Sequence, residues 1–195
     1  VNIVRIFSDG DYVFGHTEYE FSSSRIGFEV FRFEQEQAVE HWDNIQSREG
    51  PNGSGHSMVD GETEVADIEC TEANRALIRQ FVEAVLIGGR AEELGRFVSA
   101  ETYTEHDPRL TDGLASLSAA LTTRAGEGVC LQYEKLHRLL AEGNFVLSVC
   151  EGFRDGVHTS FYDLFRIDNG RIVEHWDTVE KVPPRSEWKN NNGKF

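Results

Sequence analysis

The side chains with the most chemistry to offer gather in residues 158–179, HTSFYDLFRIDNGRIVEHWDTV. Phe161 to Ile167 is apolar and aromatic, and Ile172 to Val179 alternates, so the stretch reads as two strands. Asp168-Asn169-Gly170 between them is hairpin chemistry, with Gly170 free to take a left-handed conformation in a three-residue loop. That loop would pair Ile167 with Arg171, Asp163 with His175 and Phe161 with Asp177. Strand side chains alternate faces, so Asp163, Phe165, Val173, His175 and Asp177 share one face. Two carboxylates and an imidazole among apolar residues suit proton transfer. Burial beside Phe161 would raise the pKa of Asp177 and make it a candidate acid/base. Asp163 could accept one N–H of His175 and leave the other nitrogen for substrate. The competing reading is a solvated face with ordinary cross-strand pairs, because the opposite parity, Tyr162, Leu164 and Trp176, is equally apolar.

A further histidine, His106, lies in Tyr103-Thr104-Glu105-His106-Asp107-Pro108, and its near-neutral pKa suits proton transfer. The alternative is an imidazole satisfied by a backbone carbonyl. His106, His175, Asp163 and Asp177 could together suit a divalent ion, but no HxH or HExxH spacing supports a metal site. The reading therefore carries no metal and no cofactor. Trp42 and Trp176 read as packing residues, and Arg166 as a member of an ion pair.

The hairpin occurs twice. Phe31-Arg32 and Glu40-His41-Trp42-Asp43 match Phe165-Arg166 and Glu174-His175-Trp176-Asp177, each 134 positions later. Asp9-Gly10-Asp11-Tyr12-Val13 matches Glu142-Gly143-Asn144-Phe145-Val146 at an offset of 133. A period of this size implies duplicated domains and not a solenoid. Glu29, His41 and Asp43 reproduce the face of Asp163, His175 and Asp177, and His16 adds an imidazole. The first copy has strands only, and the chain starts with Val, so a fragment or a processed product is expected. Its uncovered sheet face should pack on the second copy or on another chain.

With 195 residues, 39% of them hydrophobic and 13 of them Phe, the chain can build a packed core. A net charge of −15 argues against nucleic acid and anionic membrane surfaces as partners. No apolar run approaches the ~18 residues of a membrane span. Cys70, Cys130 and Cys150 lack CxxC spacing and read as plain thiols. A cytoplasmic location is expected.

Strands are expected at residues 3–7, 12–21, 26–33 and 38–45, with a looser turn at Glu34-Gln35-Glu36-Gln37. Ser47 to Gly61 is rich in Gly, Ser and Pro and reads as a linker, extending to residue 69. Thr71 can cap a helix running to about Leu86 that Gly88-Gly89 ends. A short helix over Arg90–Val98 follows, and Asp112 can cap a third from Leu114 to about Arg124. Four strands come next, at 131–140, 144–153, 157–167 and 171–182, and then a tail, 184–195, that reads as partly ordered. Helices followed by an antiparallel meander make an α+β plan, a long curved sheet around helices with a pocket inside.

The motifs Tyr103 to Pro108 with Asp112-Gly113, Ala141 to Val146, Asp163 to Arg166 and Gly170 to Asp177 occur in an order that resembles the SnoaL-like family. This family lies within the nuclear-transport-factor-2-like superfamily. The resemblance covers residues 70–183, and residues 1–46 resemble the C-terminal half of a second such domain. It implies a cone-shaped curved antiparallel sheet on three helices, chemistry without a cofactor, and dimerisation through the sheet. It also implies a small-molecule substrate, with Tyr103, Phe161, Phe165 and Val173 as pocket walls and an Asp as acid/base. Asp107 stands where the family would have Asn. The activity implied is aldol cyclisation or keto–enol isomerisation of a carbonyl compound. A non-catalytic binding or assembly module, or an epoxide hydrolase-like activity, would use the same fold.

Overall fold

The computed structural model describes residues 1–191 and 193–195. Four strands come first: β1 (Asn2–Asp9), β2 (Tyr12–Glu20), β3 (Ser24–Glu34) and β4 (Gln37–Ser47), which form an antiparallel sheet in that order. The helical part holds α1 (Thr71–Phe81), α2 (Leu94–Phe97) and α3 (Leu114–Thr122), with β5 (Thr104–Glu105) between α2 and α3. Strands β6 (Leu131–Glu142), β7 (Phe145–Arg154), β8 (Val157–Asp168) and β9 (Arg171–Lys181) complete a second sheet of order β5-β9-β8-β7-β6. The architecture is α+β, and neither sheet closes. It departs from a purely antiparallel sheet, because the two residues of β5 pair in parallel with β9.

Local sequence explains most of these boundaries. Thr71 is the first residue of α1 and not its cap; its hydroxyl donates to Ile68 O and accepts from Gly143 N. The helix continues past Phe81 as a wider π-type turn through Ile87. Asp112 does not cap α3, whose N-cap is Gly113 at a φ of 90°. Its carboxylate instead accepts from Glu105 N and holds the mouth of the second sheet in place.

The hairpin register differs from the one the turn predicted. Asn169 and Gly170 alone form the turn, with φ of 48° and 70°, so Asp168 pairs with Arg171 and Ile167 with Ile172. A bulge then opens between Arg166 and Ile167, leaving Val173 as the extra residue. Asp163 consequently lies opposite Asp177, Phe165 opposite His175, and Phe161 opposite Val179. The two-residue turn and the bulge offset each other, so the shared face survives.

The turn of β3–β4 is equally tight and not looser: Gln35 and Glu36 sit at φ of 49° and 65°. A non-glycine residue there costs about 1–2 kcal/mol. Glu36→Gly should therefore raise stability by about 1 kcal/mol, seen as a higher urea midpoint at unchanged slope. An unchanged or lower midpoint would show that the turn is not strained.

The two sheets pack face to face. Phe7, Phe14, Phe28, Val30 and Trp42 of the first meet Leu140, Leu147, Tyr162, Leu164 and Trp176 of the second in one apolar cluster. Arg5 lies over Trp176 and Arg138 over Trp42, each guanidinium 4.0 Å from its ring centroid. Asn44 donates to Ser160 O and Thr178 O across the layer, at 3.1 and 3.0 Å. The uncovered face of the first sheet thus finds its cover within the chain. Trp42 and Trp176 are packing residues, as their parity indicated.

Residues 48–67 form no regular structure but are not a free linker. Met58 and Asn52 are buried, and Trp176 Nε1 donates to Asp60 O. Gly61, at φ of 89°, passes so close to Glu174 and Trp176 that a β-carbon would collide with both. The tail also packs back: Lys194 Nζ donates to Asp43 O and to Glu180 Oε2, and Phe195 stacks on His137. Among the described residues no helix is long and apolar enough to cross a membrane.

Candidate active site

The second core lies on the other face of the second sheet, where α1 and α3 cover it. Ile78, Phe81, Val85, Phe97 and Leu117 pack on Val146, Phe161, Phe165 and Ile172. A narrow cavity of about 40 Å³ remains between helices and sheet. Its apolar wall includes Phe81, Val98, Leu117, Leu131, Phe165 and Ile172; its polar groups are Tyr103, Tyr133, Asp107, Asp163, His175 and Asp177. An outer cleft lined by Arg109, Ser116 and Thr123 shares Asp107, Leu110, Ala120 and Leu131 with it and leads outward.

Three of the four expected catalytic residues meet here. The bulge and turn of β8–β9 place Asp163, His175 and Asp177 on the covered face. His175 is held from both sides: Nδ1 is 2.9 Å from Glu105 Oε1 and Nε2 is 3.1 Å from Asp163 Oδ1. Burial alone would lower its pKa, but the two carboxylates outweigh burial and raise it well above the ordinary imidazole value. His175 is therefore a charged bridge, and neither nitrogen is left for substrate, contrary to the single-tautomer expectation.

Asp177 is different. Burial, with Asp107 and Asp163 nearby, raises its pKa well above the ordinary carboxylate value, although Arg109 and His175 pull the other way. Arg109 grips Asp107 with Nε and Nη2 at 2.7 and 2.6 Å, and Nη2 stands 3.6 Å from Asp177 Oδ2. Asp177 Oδ1 and Asp163 Oδ2 are buried without a hydrogen-bond partner among the described residues. Such atoms are costly unless a ligand completes them.

His106 does not join this group. It follows Glu105 in β5 and so points to the opposite face of β9. Its Nε2 is 2.9 Å from Glu174 Oε1, its Nδ1 is 2.8 Å from Ser57 O, and its ring stacks on Trp176. Arg166 donates to the other oxygen of the same Glu174, as the ion-pair reading expected. His106 is a structural residue between the sheets, not a proton donor to the cavity. His16 is also between the sheets: burial, with Arg5 beside it, holds its pKa well below the ordinary value.

Of the expected pocket walls, Tyr103 and Phe165 line the cavity. Phe161 lies one layer back, stacked on Tyr133 at 4.3 Å, because Tyr133 of β6 covers it. Val173 is displaced by the bulge, and Ile172 takes its place on the wall. Glu105, Arg109 and Tyr133 escaped the sequence reading. Glu105 is fully buried and accepts from Tyr103 Oη at 2.6 Å as well as bridging to His175. The one available signal was its place between Tyr103 and His106; its pairing with β9 is parallel and distant in sequence.

No protein-family profile matches the chain, and no curated protein matches it in sequence. Solved structures do match its shape. A candidate ketosteroid isomerase from Kribbella flavida superposes with a TM-score of 0.50 at 18% identity, covering 63% of this chain and 91% of that one. An NTF2-like protein of unknown function from Burkholderia xenovorans also reaches 0.50, at 16% identity, covering 64% of this chain and 99% of that one. The helices and the long sheet of residues 70–183 thus share the fold of these solved structures.

Proposed function

We propose that the second sheet and its helices form a cofactor-free, SnoaL-like enzyme that moves a proton next to the carbonyl group of a small, mostly apolar compound. The observation that carries this reading is Asp177: a buried carboxyl of raised pKa, with a free oxygen, facing a cavity with an apolar wall. A carboxyl tuned toward neutrality can take a proton from carbon and return it elsewhere. His175, bridged by Glu105 and Asp163, fixes the positive charge that lets Asp177 ionise at all. Tyr133 Oη lines the cavity and donates to Asp163 Oδ1 at 3.2 Å; turned from Asp163, its proton would serve an enolate oxygen. The apolar wall would exclude water from the enolate and select an apolar body. Keto–enol isomerisation and aldol cyclisation both begin with this step. The matched positions of the two halves support a duplicated domain in which residues 1–46 serve as a scaffold, with their sheet occupying the face that SnoaL-like proteins use to dimerise.

Deuterium exchange tests the reading. A panel of cyclic ketones and β-diketones incubated in D₂O with the protein, followed by proton NMR, should show exchange next to the carbonyl faster than in buffer. No acceleration for any of them would overturn carbonyl chemistry and favour a binding module.

A further inference from the structure

The first sheet carries the same three positions on the face turned away from the second sheet, and there they do something else. Glu29 and Asp43 are direct cross-strand partners, and His41 pairs with Phe31 two residues along, so all three side chains project on one side. One donor atom from each lies within 4.8 Å of the others. We propose that Glu29, His41 and Asp43 bind a divalent transition-metal ion of the zinc or manganese class.

Directly opposed carboxylates repel each other unless a cation sits between them. Glu29 is only 4% exposed, so water does little to screen it. In the second sheet the corresponding pair is managed by other groups: Arg109 stands near Asp177, Glu105 holds the far nitrogen of His175, and helices cover the face. Among the described residues Glu29 and Asp43 have no arginine partner, and no helix covers them. Lys194 reaches Asp43 Oδ1 at 3.5 Å but also serves Glu180.

The donors are prepared for an ion. His41 stacks on Phe31 with centroids 4.2 Å apart and rings 5° from parallel, which aims Nε2 at Glu29 Oε2, 2.6 Å away. The Tyr19 hydroxyl donates to the other oxygen of Glu29 and fixes the carboxylate, as outer partners of metal ligands do. Tetrahedral zinc–nitrogen and zinc–oxygen bonds of about 2.0–2.2 Å put these two atoms about 3.4 Å apart, so the exposed ring has to withdraw by about 0.8 Å. Two carboxylates and a neutral imidazole balance a charge of two. The imidazole favours zinc or ferrous iron over calcium or magnesium, the two carboxylates also suit manganese, and three protein ligands leave a position open for water or a small ligand.

The test is isothermal titration of the full chain, stripped with chelator, with zinc chloride and separately with manganese chloride. His41→Ala and Asp43→Asn are the variants, since these side chains are 44% and 39% exposed and their loss should leave the fold intact by circular dichroism. His137→Ala is the control, because His137 and His158 flank Glu151 in a second histidine cluster. The expected result is one ion per chain, at least about tenfold weaker in both variants and unchanged in the control. No binding of either ion, binding indifferent to His41 and Asp43, or binding lost in the control would each overturn the proposal.

Discussion

Asp177→Asn is expected to lower turnover by about 10²–10⁴-fold on any compound whose exchange the protein accelerates, with little change in substrate binding. The amide keeps the shape of the carboxyl but cannot take a proton from carbon. The same substitution should also stabilise the folded chain at neutral pH. A carboxyl whose folded pKa is raised binds its proton more tightly when folded, so it weakens stability as pH rises above the unfolded value of about 3.9, through the folded one. The amide removes that loss. Activity lost together with higher stability is the signature of a buried acid kept for chemistry. The matching change in the first sheet, Asp43→Asn, should leave turnover near the wild-type value, because among the described residues no helix closes a cavity over it. Equal losses from the two substitutions, or a loss from Asp43→Asn alone, would show that the site has been misplaced.

His175→Ala should be the most destabilising single change in the site, by about 3–5 kcal/mol. It removes the one cation between Glu105 and Asp163, two buried carboxylates that would then face each other unpaired. Urea unfolding gives the size of the loss, and its pH dependence identifies the cause. The folded pKa of His175 is raised, so its contribution is complete below the ordinary imidazole pKa of about 6.5 and disappears as pH rises through the folded value. Wild-type stability should therefore fall on the alkaline side, and in the alanine variant that fall should be missing. A loss under about 1 kcal/mol, or an alkaline fall that persists in the variant, would mean that His175 is not the charged bridge. Glu105→Gln offers a second reading of the same network, since it leaves the imidazole in place with one carboxylate fewer.

The sequence by itself determined the elements and the parity. Alternation over residues 161–167 and 172–179, turn residues between them and the repeat of Glu-His-Trp-Asp were enough to place Asp163, Phe165, His175 and Asp177 on one face. The face was legible because side-chain direction along a strand depends on local spacing alone. Tertiary structure decided which partners that face would meet. Asn169-Gly170 turns in two residues, and the bulge at Val173, which no local pattern announced, restores the parity of the face. Glu105 and His106 are adjacent in sequence yet serve opposite faces of β9, one inside the site and one between the sheets, because a two-residue parallel strand runs beside β9. Parallel pairing links segments far apart in sequence and leaves no local pattern. The different surroundings of the two copies of the motif were decided in the same way. Asp163, His175 and Asp177 lie under helices with Glu105 and Arg109, while Glu29, His41 and Asp43 occupy the same strand positions without that cover. Burial sets the pKa of a carboxyl, and burial is a property of the assembled layers and not of the residues that carry the charge.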